Sequence, residues 1–138
     1  MKIFYKANAT ATGGRDGHVE TNDGVLSVNL AIPKEMGGPG GAKTNPEQLF
    51  AAGYAACFDS ALQHVARQQK VKLEDTSVNA SVGIGQHEQG GFGLEVHLEV
   101  KITGVDRAQA EKLVEETHHT CPYSNAIRGN VEVTTTLV

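Results

Sequence analysis

The sequence predicts an α+β fold. Two patterns carry that reading: several segments of strict apolar alternation, and two stretches with helical spacing, each opened by its own cap. With 138 residues the chain is read as one domain, 1–138, long enough for a real core and without internal repeat or interdomain linker.

Taken in order, the chain opens with strand-like segments. Leu26, Val28, Leu30 and Ile32 alternate with Ser27, Asn29 and Ala31, the period of a half-buried strand. Asn22-Asp23-Gly24 is a hairpin-turn signal that pairs this strand with the Gly17 to Thr21 region. A glycine-rich loop, Gly37-Gly38-Pro39-Gly40-Gly41, follows. The first helix then starts: Asn45 suits its cap, Pro46 its first position, and Gln48 completes a capping box. It runs through Leu49, Phe50, Gly53, Ala56, Cys57, Ala61, His64 and Val65 to about Gln69. Its small residues Ala51, Ala52, Gly53, Ala55 and Ala56 predict close packing against another backbone. Next, Val78, Ala80, Val82 and Ile84 alternate, as do Phe92, Leu94, Val96, Leu98, Val100 and Ile102, with Gln89-Gly90-Gly91 as the hairpin loop between them. Asp106 and Gln109 form a second capping box, and the helix behind it buries Ala110, Leu113, Val114 and Thr117 before Pro122 ends it. Val131, Val133, Thr135 and Leu137 read as a last strand.

Composition narrows the function classes. At 39% hydrophobic and 20% charged, the chain is of the soluble globular type. No apolar run approaches the ~20 residues of a membrane span. Met1-Lys2-Ile3-Phe4-Tyr5-Lys6 lacks the apolar stretch of a signal peptide, so the cytoplasm is the expected location. Cysteines stay reduced there unless a disulfide belongs to a reaction cycle. A net charge of -4 without a basic cluster, no Trp and few aromatics argue against nucleic acid.

The two cysteines are placed as if for different tasks. Cys57 lies mid-helix among apolar neighbours, where no helix terminus assists a thiolate. Its reactivity would need a cation from elsewhere, and Arg15, between glycines in Gly13-Gly14-Arg15-Asp16-Gly17, can supply one. The plain alternatives are a small buried hydrophobe at Cys57 and a solvated turn residue at Arg15. Cys121 sits at a helix C-terminus, where the dipole keeps a thiol protonated, which suits a group that waits to attack an oxidised partner. Glu47 complements the first helix's N-terminus and lies ten residues, about 15 Å of helix, before Cys57, so it acts on that thiol only through a long side chain such as Arg15.

Two other motifs carry less. Gly37 to Thr44 misses a phosphate-binding loop because Ala42 replaces its second glycine and Asn45-Pro46 separates Lys43-Thr44 from the helix. His118, His119, Cys121, Cys57 and His64 supply zinc-type ligands, but no Cys-x-x-Cys occurs, and a His pair suits a helix C-terminus by its dipole.

The motifs together are more specific than any one of them. The segment from Thr44 to Phe58, TNPEQLFAAGYAACF, resembles the first-cysteine helix of the organic hydroperoxide resistance proteins, in the superfamily of osmotically inducible protein C. The segment from His118 to Asn130 is similar to their second-cysteine motif, and Ala11 to Gly17 to their arginine loop. The resemblance covers nearly the whole chain. It implies antiparallel sheets wrapped around two long helices in an intertwined homodimer, with active sites at the subunit interface. It also implies a thiol peroxidase of the oxidative stress response: Cys57 attacks an organic hydroperoxide, Cys121 resolves the sulfenic acid as a disulfide, Arg15 stabilises the thiolate and orients the peroxide, and Glu47 holds Arg15. The implied reductant is a dihydrolipoyl group on a dehydrogenase-complex protein, with no metal or bound cofactor. Helix spacing nominates Phe50, Tyr54 and Phe58, with Met36 of the glycine-rich region, as an apolar substrate wall. A ligand-binding module with inert thiols, and a thiol hydrolase pairing Cys57 with His64, are the competing classes.

Overall fold

The turn at Asn22–Gly24 does what its residues prescribe. Asp23 Oδ1 accepts the Val25 N–H at 3.0 Å and the Thr21 hydroxyl at 2.7 Å, and Gly24 takes a φ of 74° that favours glycine. Around this turn β2 (His18–Thr21) pairs antiparallel with β3 (Ser27–Asn29), and β1 (Ala9–Thr12) pairs with the other edge of β2. β3 is shorter than the alternation predicts. Leu30 leaves it for a parallel bridge to Thr44, and the Ala31 N–H donates to the Thr44 carbonyl at 3.0 Å. Pro33 then has no N–H to extend a ladder. The glycine-rich loop folds back tightly after a 3-10 turn at Lys34–Met36: a Cβ on Gly38 would stand 2.2 Å from the Ile32 carbonyl oxygen.

This structure, a computed structural model, describes all residues Met1–Val138, which fall into two compact units, Met1–Leu49 and Phe50–Val138. The sequence reads as one domain, and no linker separates the units, since the boundary falls in the first turn of α1 (Pro46–Gln68). The first unit has little interior. Only Leu30 and Ala31 are buried in it, while Phe4, Tyr5, Val25 and Leu26 stay exposed.

The second unit holds the core. α1 opens as its cap predicts, with the Gln48 N–H donating to Asn45 Oδ1 at 2.9 Å. The box is only half closed, because the Gln48 side chain accepts from Thr44 Oγ1 instead. Tyr54, Phe58, Ala61, Leu62, Val65 and Ala66 form its buried stripe at helical spacing. β4 (Asp75–Gln86) and β5 (Phe92–Thr103) pair along their full length, with Val78 opposite Val100, Ala80 opposite Leu98 and Val82 opposite Val96, so one face of the sheet turns its apolar set to the core. α2 (Arg107–Thr120) buries the predicted Ala110, Leu113, Val114 and Thr117.

Two features depart from expectation. Pro122 ends α2 but also opens α3 (Pro122–Ile127), standing at its first position where a missing N–H costs nothing. β6 (Glu132–Leu137) joins β5 in parallel, so this sheet is mixed rather than antiparallel. The helical crossover between β5 and β6 returns the chain to the end from which β5 began, which is what a parallel partner requires. The long helices also differ in length, 23 residues in α1 against 14 in α2.

The cap of α2 offers a direct check. Asp106 accepts the Gln109 N–H at 2.8 Å. Asp106→Ala should lower stability by about 1 kcal/mol, read from urea midpoints, and Asp106→Asn should restore most of it. Equal midpoints for wild type and Asp106→Ala would show that the cap is dispensable.

Candidate active site

Cys121 occupies a corner. Its backbone is extended (φ -65°, ψ 121°), because the residue before a proline is pushed out of the α region. It closes α2 by donating its N–H to the Thr117 carbonyl at 2.8 Å, and starts α3 by accepting the Asn125 N–H at 3.0 Å. Its side chain is fully buried in the core. Cys57, on α1, is half-buried, and both thiols are free.

The corner brings the two thiols together. Cys121 and the backbone N–H of Tyr123 both lie close enough to Cys57 to act on its thiol. Burial, then the neighbouring Cys121, push the Cys57 thiol above its ordinary pKa, and the Tyr123 N–H opposes them only in part. The sequence reading finds no helix terminus near Cys57, since it considers α1 alone. The structure supplies the first turn of α3, and Pro122 was the readable sign of that helix start.

The aromatic residues divide by exposure. Tyr54 and Phe58 have no exposed surface and lie in the buried cluster that includes Cys121 and against which Cys57 packs, so they do not form an open substrate wall. Phe58 meets the His118 ring edge-on, with centroids 4.8 Å apart. Phe50 is half-buried, and it packs on Tyr123, whose side chain is 39% exposed and which the sequence reading missed. The Tyr123 ring also lies against Gly53, where a Cβ would come 2.9 Å from its hydroxyl. The small residue at 53 therefore admits a ring, not the backbone that the sequence reading expected.

In the first unit Arg15 and Glu47 form a bidentate ion pair, with Nη1 to Oε2 at 2.8 Å and Nη2 to Oε1 at 2.6 Å. Arg15 stands in a 3-10 turn behind Gly13, and Glu47 in the first turn of α1. The Arg15 hydrogen bonds hold the Glu47 carboxyl below its usual pKa. Met36 is exposed at the end of its 3-10 turn.

The zinc-type residues do not converge: no three His, Cys, Asp or Glu side chains gather where a metal ion could be held. Both ring nitrogens of His118 are engaged by hydroxyls, Nδ1 with Ser124 at 3.0 Å and Nε2 with Thr135 at 2.8 Å. His64 is exposed on α1. No helix is long and apolar enough to cross a membrane.

Residues 38–136 match the family of OsmC-like proteins. The chain is 54% identical to an organic hydroperoxide resistance protein of Xanthomonas axonopodis pv. citri, over 99% of this chain and 96% of that one. The chain belongs to the organic hydroperoxide resistance proteins of the OsmC-like family. A second relative of that name, from Bacillus subtilis, is 47% identical over 94% of this chain and 95% of its own length. The fold is shared as well. The crystal structure of an organic hydroperoxide resistance protein from Legionella pneumophila superposes with a TM-score of 0.95 at 54% identity, covering 99% of this chain and 98% of that one. The α+β class with its mixed sheet is thus the fold of this family.

The Arg15–Glu47 pair should show in the pH dependence of stability. Because the Glu47 pKa is lowered on folding, the pair's contribution is fully present above the ordinary value of 4.5 and is lost as pH falls through the depressed one. Glu47→Gln should cost about 1 kcal/mol at pH 7, with the gap to wild type closing below pH 4.5. A gap that stays constant with pH, in urea midpoints, would count against the pair.

Proposed function

We propose that this chain is a thiol peroxidase that reduces organic hydroperoxides to alcohols. The observation that carries the reading is the proximity of two free thiols, Cys57 and Cys121, with the Tyr123 backbone N–H near the outer one. The relatives named for organic hydroperoxide resistance support the substrate class. In the proposed cycle the Cys57 thiolate attacks one peroxide oxygen. The O–O bond breaks, the alcohol leaves, and Cys57 becomes a sulfenic acid. Cys121 then displaces hydroxide from that sulfur, forming the Cys57–Cys121 disulfide and water. A dithiol reduces the disulfide by exchange and is itself oxidised.

The raised pKa of Cys57 makes a cation necessary, since only the thiolate attacks. We assign that cation to Arg15. A guanidinium gripped by Glu47 keeps further fixed donors for a thiolate and a peroxide oxygen. Phe50 and Tyr123, with Met36 of the first unit, are the accessible apolar groups offered to an alkyl or fatty-acid chain. The reductant is assigned as a dihydrolipoyl group carried by a dehydrogenase-complex protein, because a slender dithiol suits a disulfide with one fully buried sulfur. A homodimer is supported by the first unit, whose exposed Phe4, Tyr5 and Val25 lack an interior of their own. The cytoplasm is the location in which such a cycle would run.

Intact mass and competition kinetics test the peroxidase cycle. One equivalent of alkyl hydroperoxide should remove two hydrogens from the wild type, and Cys121→Ser should instead gain one oxygen. Cys57→Ser should consume none. Hydrogen peroxide should react far more slowly than the alkyl hydroperoxide, because chain burial contributes about 0.8 kcal/mol per methylene. An unchanged wild-type mass would leave a binding module or a hydrolase.

The role of Arg15 is tested by thiolate absorbance against pH with stopped-flow oxidation. Arg15→Ala should raise the Cys57 pKa further and slow oxidation at least 100-fold, about 2.7 kcal/mol of barrier. Arg15→Lys should recover part of the pKa and little of the rate, since ammonium lacks the planar fork. A wild-type pKa and rate in Arg15→Ala would reduce the Arg15 loop to a turn.

A further inference from the structure

A partly buried chain of hydrogen bonds runs past the resolving cysteine. His118 and Ser124 each lie three positions from Cys121, one on α2 and one on α3. His118 Nδ1 bonds Ser124 Oγ at 3.0 Å and so ties the two helices across the corner that Cys121 occupies. The chain continues at both ends. His118 Nε2 reaches Thr135 Oγ1 on β6 at 2.8 Å, and Ser124 Oγ reaches the Tyr54 hydroxyl on α1 at 2.6 Å. Tyr54 is one helical turn before Cys57. The network therefore links the sheet, the Cys121 corner and the Cys57 helix. No buried side-chain polar atom is left unpaired.

Tyr54, His118 and Ser124 also line an open pocket of about 240 Å³ beside this corner. On its exposed side Arg128 donates to the His118 carbonyl at 2.6 Å and Asn125 to the His119 carbonyl at 3.1 Å. On the other side the His118–Ser124 link is the side-chain tie between the two helices.

We propose that His118 and Ser124 are positioning residues for the resolving step, holding Cys121 at the angle from which its sulfur reaches the Cys57 sulfenic acid. The inference rests on the peroxidase reading. In that step the S–S bond forms and the S–O bond breaks, and the hydroxide leaves with the Cys121 proton as water. Neutral His118 suits the role, since one nitrogen can donate while the other accepts. Burial, then Arg128 and His119, lower its pKa and keep it neutral.

The two steps can be timed separately by rapid mixing with one equivalent of an alkyl hydroperoxide, quenching, and intact mass. His118→Phe and Ser124→Ala should form the sulfenic acid within twofold of the wild-type rate. Both should close the disulfide at least tenfold more slowly, and excess peroxide should convert the waiting sulfenic acid to sulfinic acid. His118→Gln, which keeps a donor and an acceptor, should recover most of the closing rate. Should His118→Phe fail to fold, Ser124→Ala and His118→Gln decide alone. Disulfide closure at the wild-type rate in Ser124→Ala overturns the proposal, as does an equal slowing of both steps. A wild type that forms neither sulfenic acid nor disulfide overturns the peroxidase reading, and this inference with it.

Discussion

The second unit turns on what Pro122 does to the chain. Having no N–H and crowding the residue before it, Pro122 stops α2 and makes Cys121 extended, yet it is a sound first residue for α3. The resulting corner has three consequences. Cys121 is carried into the core, the Tyr123 N–H is freed at a helix start to meet Cys57, and the crossover gains the second helix that precedes β6. A chain that continued α2 straight through 122 would lose all three.

Burial sets the chemical problem at this corner. Half-burying Cys57 beside the fully buried Cys121 stabilises the neutral form of the Cys57 thiol. One N–H from a short helix compensates only in part. A cation held ready by a carboxylate completes the arrangement in the proposed mechanism, and the short bidentate geometry of Arg15 with Glu47 is that of a guanidinium presented in one orientation. The same burial explains the division of labour among the aromatics. Tyr54 and Phe58 are fully buried in the cluster that holds Cys121, while Phe50 and Tyr123 keep surface that a ligand could touch.

Much was legible locally. Asn45-Pro46 and Asp106 marked the starts of α1 and α2, because capping depends on residues within one turn. Alternation placed β4 and β5 and identified which side chains face inward, because a strand's faces follow from a period of two. Asn22-Asp23-Gly24 located the hairpin turn for an equally local reason. The motifs around Arg15, Cys57 and Cys121 pointed to the family by their residues alone.

What the sequence by itself determined, then, was most of the elements, their inward faces and the motifs that point to the family, all properties of neighbours along the chain. The tertiary structure decided which distant groups meet. The parallel pairing of β6, the ring of Tyr123 against Gly53, the N–H turned to Cys57 and the His118–Ser124–Tyr54 chain join residues tens of positions apart. No local period encodes such meetings, since they depend on how helices and sheet pack once formed. Tyr54 and Phe58 illustrate the limit: their spacing placed them beside Cys57, but only packing could show that they are fully buried.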